Sequence, residues 1–208
     1  MNALSTGAFP HQLYAALAPW MLLALLLLGR NPYPSRIRVV GSLLLAFFAL
    51  RIPVEGWHLF AWVRVLEPDP SLTFTLLLAV ALLRRATGRA LFRPSDWSAA
   101  VLFGAIAALV LYPTALGLTS HDAYGWGWGR ALPVAVTALA ALLVALGNRF
   151  GLVLIVPVAL RVLRVGGADN FWDAVIDPAY AILSLLAVVG WSIRSGLEMR
   201  LRWPGRKA

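Results

Sequence analysis

The stretch "SAAVLFGAIAALVLYPTALG" (residues 98–117) decides the fold class, because its twenty residues include no charged side chain. An α-helix rises about 1.5 Å per residue, so roughly 20 apolar residues cover the ~30 Å hydrocarbon core of a bilayer. The stretch therefore predicts a transmembrane helix, and the rest of the chain has to be compatible with a membrane.

Six further apolar segments surround it. Four have the length of a span or nearly so (13–29, 37–57, 131–147 and 173–193), and two are shorter (71–83 and 150–163). If all seven cross, the chain is an all-α, polytopic transmembrane helix bundle with short loops. The connections are too short for a soluble domain, so we expect residues 1–208 to form a single integral membrane domain.

The composition supports this class. Hydrophobic residues make up 61% of the chain and charged residues 13%, whereas soluble domains have roughly 45–50% and about 25%. The net charge of +9 does not indicate nucleic-acid binding, because the basic residues stand between apolar segments, where they orient membrane proteins. The chain has no cysteine, which excludes disulfides and thiolate chemistry.

The basic residues also predict the orientation. With the N-terminus outside, seven crossings place thirteen of the eighteen Lys and Arg residues on the inner side: Arg30, Arg36, Arg38, Arg84, Arg85, Arg89, Arg93, Arg149, Arg194, Arg200, Arg202, Arg206 and Lys207. Cytoplasmic loops carry the excess of Lys and Arg. We therefore expect the C-terminus in the cytoplasm and the protein in a bacterial inner (cytoplasmic) membrane.

The groups that can transfer protons or bind metals fall on the opposite side. Seven of the nine acidic residues lie outside or at outer helix ends, and so do all three histidines: Glu55, Glu67, Asp69, Asp122, Asp169, Asp173, Asp177, His11, His58 and His121. The orientation rule counts only Lys and Arg, so this clustering is separate evidence. It predicts that any chemistry occurs at the outer face.

One polar motif, "RIPVEGWH" (51–58), ends the second span. In a helix, Arg51, Glu55 and His58 share one face, although Pro53 favours a kink. Arg51 and Glu55 then either form an ion pair whose side chains extend toward the outer membrane surface, or Arg51 binds an anion while Glu55 and His58 transfer protons. The apolar segment that follows predicts an interfacial helix near 58–66.

A second motif is the loop "SHDAYGWGWGR" (120–130), which we call the aromatic loop. Its tyrosine and tryptophans are typical of the headgroup zone of a membrane. Its three glycines give the backbone the freedom of a loop that covers a site. The loop is therefore either an anchor or the cover of a binding site, with candidate site residues His121, Asp122, Trp126, Trp128 and Arg130.

The densest acidic cluster is "GGADNFWDAVIDP" (166–178). If the segment is one helix, Asp169, Asp173 and Asp177 form a stripe with Asn170 beside it. Asp177 would then lie inside the membrane, where a carboxylate is usually functional. The alternative is that the helix begins at Pro178 and that Asp177 only caps it.

Part of this cluster, "NFWDAVI" (170–176), looks like the second signature of signal peptidase II, a four-helix membrane aspartic protease. By that resemblance Asp173 would be a catalytic aspartate. The family's first signature is matched by Gly147 and Asn148, but Gly151 stands where its other catalytic aspartate belongs. Without the carboxylate pair, and with seven expected helices, we do not assign the chain to this family.

Three classes of function remain open. The first is a membrane-embedded hydrolase or transferase acting on a lipid-linked or headgroup substrate. In it Asp173 and His121 form the acid–base pair, Glu55 and His58 assist, and binding involves Arg51, Arg130, Asp122, Asn170, Trp126 and Trp128. The second is a small transporter, indicated by the two short spans and Pro157. The third is a non-catalytic subunit of a larger complex or homo-oligomer, indicated by the small-residue pair Gly104 and Ala108.

Expected partners are membrane lipids and, for the subunit, another membrane protein. A metal or haem stays an open question. His58 and His121 together with outer carboxylates could bind Zn²⁺, and the same two histidines could bind haem, but no tight ligand spacing favours either.

Overall fold

The computed structural model describes residues 8–29, 35–66, 70–163 and 169–202. This part of the chain is mostly helical, which confirms the all-α class. Its elements in chain order are α1 (Ala8–Leu28), α2 (Arg36–Ala49), β1 (Pro53–Val54), β2 (Trp57–His58), α3 (Leu59–Leu66), α4 (Leu72–Thr87), α5 (Pro94–Ala115), a 3₁₀ helix (Tyr124–Gly127), α6 (Ala131–Ala145), α7 (Phe150–Val162), α8 (Phe171–Val175) and α9 (Pro178–Arg202).

Each of the seven predicted segments overlaps one of the seven longest helices in the described ranges. Two stretches are long and apolar enough to cross a membrane by length and composition, Pro94–Ala115 in α5 and Pro178–Ser195 in α9. The apolar stretches in α1, α6 and α7 are shorter. Seven crossings are therefore a prediction that the helix lengths do not by themselves establish.

The helix ends follow from local chemistry. The Ser71 side chain accepts a hydrogen bond from the Phe74 N–H and begins α4, and Gly88 ends it with φ +71°, a conformation that glycine adopts without strain. Pro94 occupies the first turn of α5, where its missing N–H costs nothing. In the same turn, the Asp96 carboxylate accepts a bond of 2.7 Å from the Arg93 N–H.

The helices pack mainly in pairs. α5 lies along α9, α6 lies along α7, and α1 contacts both α2 and α4. Two of these contacts need glycine. A Cβ at Gly104 would lie 2.3 Å from the Ser184 hydroxyl oxygen of α9, and a Cβ at Gly151 would lie 2.6 Å from the Ala140 carbonyl oxygen of α6.

Contacts between loops define two ends of the bundle. At the arginine-rich end, the Ser35 N–H donates to the Arg85 carbonyl oxygen over 3.1 Å, and the Arg149 N–H donates to Asp96 over 3.0 Å. At the other end, which we call the loop end, the Ser71 N–H at the start of α4 donates to the Asp177 carboxylate at the start of α9. Each contact joins segments that the charge count had placed on the same side.

The expectation of one helix through residue 57 is wrong. α2 ends at Ala49, and residues 53–58 form an antiparallel hairpin in which Pro53 pairs with His58. Glu55 (φ +50°) and Gly56 (φ +83°) make the turn, and Pro53 has no N–H with which to continue a helix. Arg51, Glu55 and His58 therefore do not share a helix face. The predicted helix near 58–66 is present as α3, and its interfacial position stays a prediction.

The predicted single helix over 173–193 is also wrong at its beginning. α8 ends at Val175, Ile176 is extended, and α9 begins at Pro178. A residue before proline is disfavoured in the α conformation, so the break falls at Asp177. Asp169, Asp173 and Asp177 consequently do not form a stripe, and the capping alternative for Asp177 is confirmed, because its carboxylate accepts from the Tyr180 N–H over 2.7 Å.

Candidate functional site

The aromatic loop has a defined conformation. After α5, the chain forms the 3₁₀ helix Tyr124–Gly127, and the Asp122 carboxylate accepts a 2.9 Å hydrogen bond from the Gly125 N–H. One oxygen of Asp122, an expected substrate-binding residue, thus closes the turn of its own loop.

Asn170 attaches this loop to α8. Its side chain is fully buried, its Oδ1 accepts from the Trp172 N–H over 2.9 Å, and its Nδ2 donates to the Tyr124 carbonyl oxygen over 3.1 Å. A Cβ at Gly127 would lie 1.7 Å from the same Oδ1. Gly127 therefore serves close approach rather than freedom of the loop, and the Asn170 amide positions the loop.

Asp173 lies beside a tyrosine of the aromatic loop. The Tyr124 hydroxyl is 3.4 Å and 3.5 Å from the two carboxylate oxygens of Asp173. Burial raises the pKa of Tyr124, and the negative charge of Asp173 raises it further. The tyrosine therefore stays protonated at neutral pH and donates to the carboxylate, which can itself accept a proton from a bound molecule.

The remaining candidate residues of the loop are exposed. The ring of His121 contacts Trp126 edge-on, with centroids 6.2 Å apart, and Trp128 contacts Tyr124 in the same manner at 6.3 Å. Arg130 immediately precedes α6, and its side chain does not cap that helix. His121, Trp126, Trp128 and Arg130 thus flank Tyr124 in sequence, and all four belong to the aromatic loop.

An apolar groove lies below the loop, between α5 and α6. Its volume is about 600 Å³, and it is lined by side chains from residues 99–110 of α5 and 131–143 of α6. Trp126 and Trp172 complete the lining. Each of these two tryptophans is close in sequence to a member of the polar pair, since Trp126 follows Tyr124 by two residues and Trp172 precedes Asp173. Tyr124 and Asp173 are not themselves part of this lining, but each stands within two residues of a side chain that is.

The other predicted residues belong to the hairpin after α2. The Arg51 guanidinium lies 4.8 Å from the ring centre of Phe47, and the His58 Nδ1 is 2.9 Å from the Arg51 carbonyl oxygen. Glu55 is exposed at the turn. These named contacts are local, and the participation of Arg51, Glu55 and His58 in one site with Asp173 stays a prediction.

Sequence reasoning did not single out Tyr124 or Trp172 as site residues. Tyr124 was counted among the interfacial aromatic side chains of the loop, and Trp172 appeared only as part of the motif at 170–176. The folded arrangement puts Tyr124 against Asp173 and Trp172 in the lining of the groove. Trp172 also donates from Nε1 to the Ala123 carbonyl oxygen over 2.8 Å. Among the residues that the structure describes, no three His, Asp, Glu or Cys side chains are grouped as a metal site would require.

No protein-family model, no curated protein and no solved structure matches this chain.

Proposed function

We propose that the chain is a polytopic membrane protein that binds a lipid-linked substrate at its outer face, with the apolar part in the groove and the headgroup at Asp173 and Tyr124. In this proposal all seven long helices cross, the N-terminus is outside and the arginine-rich end is cytoplasmic. The hydrogen bonds at the two ends of the bundle support the proposal, because each joins two segments that this orientation places on the same side of the membrane.

The exposed surface of the helices supports the membrane setting. On α9, Ile182, Leu186, Val189 and Ile193 recur at helical spacing and are 54–62% exposed. Soluble monomers rarely expose contiguous apolar patches of more than a few hundred Å². A row of large aliphatic side chains over three turns is typical of a helix that faces lipid tails.

The observation that carries the binding proposal is that two groove-lining tryptophans, Trp126 and Trp172, are close in sequence to Tyr124 and Asp173. Trp172 lines the apolar groove, and the next residue, Asp173, contacts the Tyr124 hydroxyl. An amphiphile needs this combination, because its tail requires an apolar channel and its headgroup requires polar partners at one end of that channel.

The dimensions of the groove favour a lipid tail over a helix of a partner protein. Eleven residue steps along α5 correspond to ~17 Å, so a volume of about 600 Å³ gives a mean cross-section of roughly 35 Å². A helix ~10 Å in diameter has a cross-section of roughly 80 Å². A helix could therefore lie only partly within the groove, whereas hydrocarbon chains fit inside it.

The small-residue pair that indicated a subunit is occupied within the chain. Gly104 packs against Ser184 and Tyr180 of α9, and Ala108 is buried. This pair therefore supports the packing of α5 on α9 and provides no argument for docking to another protein.

For the chemistry we propose that Asp173 is the acid–base residue and that Tyr124 orients its carboxylate. The reaction class is hydrolysis or group transfer at the headgroup. His121, whose ring contacts the groove-lining Trp126 edge-on, is proposed as the second proton-transferring group.

The test compares the lipids that the purified protein retains. Wild-type protein and Asp173→Asn are extracted in a mild detergent, and native mass spectrometry followed by lipid analysis identifies the bound molecules. We expect both to retain lipids with the same tails but different headgroups, because the variant binds substrate without converting it. Asp169→Asn, an exposed aspartate in the same segment, is the matched control and should resemble wild type.

Two results would contradict the proposal. Identical lipids in wild type and Asp173→Asn would remove the acid–base role while leaving lipid binding. Absence of any specifically retained lipid from both proteins would remove the binding proposal itself.

A further inference from the structure

The groove between α5 and α6 is larger than one hydrocarbon chain requires. A cavity of ~150 Å³ holds a benzene ring, so each packed carbon needs roughly 25 Å³. Carbon–carbon bonds of ~1.5 Å in a zigzag advance the chain by roughly 1.25 Å per carbon. One extended chain therefore has a cross-section of roughly 20 Å².

The cross-section of the groove is larger than that of one chain. Its mean cross-section of roughly 35 Å², from about 600 Å³ over ~17 Å, accommodates nearly two parallel chains. The same volume holds roughly 24 carbons, which is about twelve in each of two chains. One straight chain over this length would fill only about half of the groove.

We infer that the substrate class is a two-chain lipid, such as a diacylglycerol-based lipid, whose two chains lie side by side in this groove. This inference rests on the proposed function. A polyprenyl chain is the principal competitor, and its methyl branches add about one carbon to every four of the backbone. Over ~17 Å it would supply roughly 17 carbons, or roughly 400 Å³, and would leave a third of the groove unfilled.

The lining shows how the width for a second chain arises. The groove-facing side of α6 carries Ala131 and Ala135, and that of α5 carries Ala99 and Ala107. Small side chains on both walls widen the groove. At its loop end, the point where two chains would join lies at Trp126 and Trp172, and Asp173 follows Trp172 in sequence.

A substitution at Ala135 tests the width. Ala135 is exposed to the groove, so Ala135→Phe adds a six-carbon ring, roughly 150 Å³, without entering the packed core. The matched control is Ala141→Phe, the same change on an exposed position of the same helix that does not line the groove. Binding is measured by native mass spectrometry with three probes that share a phosphate monoester headgroup: dioleoyl phosphatidic acid, its single-chain lysolipid and a polyprenyl phosphate.

We expect wild type and Ala141→Phe to bind the two-chain probe at least about tenfold more tightly than the other two. Ala135→Phe should reduce this preference to about threefold or less while leaving the lysolipid affinity unchanged. Equal or tighter binding of the lysolipid or the polyprenyl phosphate by wild type would overturn the two-chain inference and leave lipid binding in the groove intact. If Ala135→Phe changes the affinity for none of the probes, the groove is not the binding site and the proposed function fails with the inference.

Discussion

Replacing Asp177 by asparagine should destabilise the protein, although asparagine caps helices as well as aspartate does. The Asp177 side chain is 2% exposed and uses both carboxylate oxygens. Oδ1 accepts from the Tyr180 N–H of α9 over 2.7 Å, and Oδ2 accepts from the Ser71 N–H at the start of α4 over 2.7 Å. The carboxylate therefore connects two helices in addition to capping one.

The magnitude for alanine follows from these two bonds. Loss of the cap costs about 0.5–2 kcal/mol. Loss of the second acceptor leaves the buried Ser71 N–H unsatisfied, which costs about 1–3 kcal/mol. Asp177→Ala should thus lower the free energy of unfolding by about 1.5–5 kcal/mol.

An asparagine side chain cannot replace both of these hydrogen bonds, because its amide has only one oxygen. Its NH₂ group must face either the Tyr180 N–H or the Ser71 N–H, and two donors cannot bond to each other. We expect Asp177→Asn to cost about 1–3 kcal/mol through the unsatisfied N–H. Asp122→Asn is the matched control, because the structure assigns only one oxygen of Asp122 to a backbone N–H, and it should cost less than about 0.5 kcal/mol.

The assay is denaturant unfolding in mixed micelles, followed by the fluorescence of the nine tryptophans. The expected order of stability is wild type and Asp122→Asn together, then Asp177→Asn, then Asp177→Ala. An Asp177→Asn variant as stable as wild type, beside an Asp177→Ala variant that loses only the capping contribution, would show that Asp177 does not connect α4 to α9.

Two further predictions concern packing and topology. Gly104→Ala should destabilise the protein by about 1–3 kcal/mol through overpacking, because its Cβ would lie 2.3 Å from the Ser184 hydroxyl oxygen. In contrast, a Cβ at Gly190 on α9 would meet no atom within 4 Å, so Gly190→Ala should not destabilise the protein. The same unfolding assay measures both variants. For topology, Ser120→Cys should react with a membrane-impermeant thiol reagent from outside intact cells and Thr87→Cys should not. Labelling of Thr87→Cys without lysis would contradict the proposed orientation.

The positions of the long helices could be predicted from the sequence because hydrophobic length is a local property. Residues 98–117 and 131–147 needed no tertiary information, and the structure begins and ends the corresponding helices within a few residues of these bounds. The errors fell at prolines near span ends. At Pro53 the apolar pattern continues past the end of α2 into a hairpin, and at Pro178 it hides a break between two helices. Hydrophobicity does not distinguish helix from hairpin there, whereas the backbone limits of proline do.

The candidate site could be predicted only in part, because the sequence does not distinguish one carboxylate from another. Asp96, Asp122 and Asp177 accept hydrogen bonds from backbone N–H groups, so these carboxylates hold turns and helix starts in place. Asp173 differs in that its carboxylate contacts a side-chain hydroxyl, that of Tyr124, from a loop 49 residues away. This contact links α8 to the aromatic loop, which also contributes Trp126 to the lining of the groove. Because this distinction depends on tertiary contacts, Asp173 becomes the residue of choice for a functional test only once the loop is seen to lie against α8.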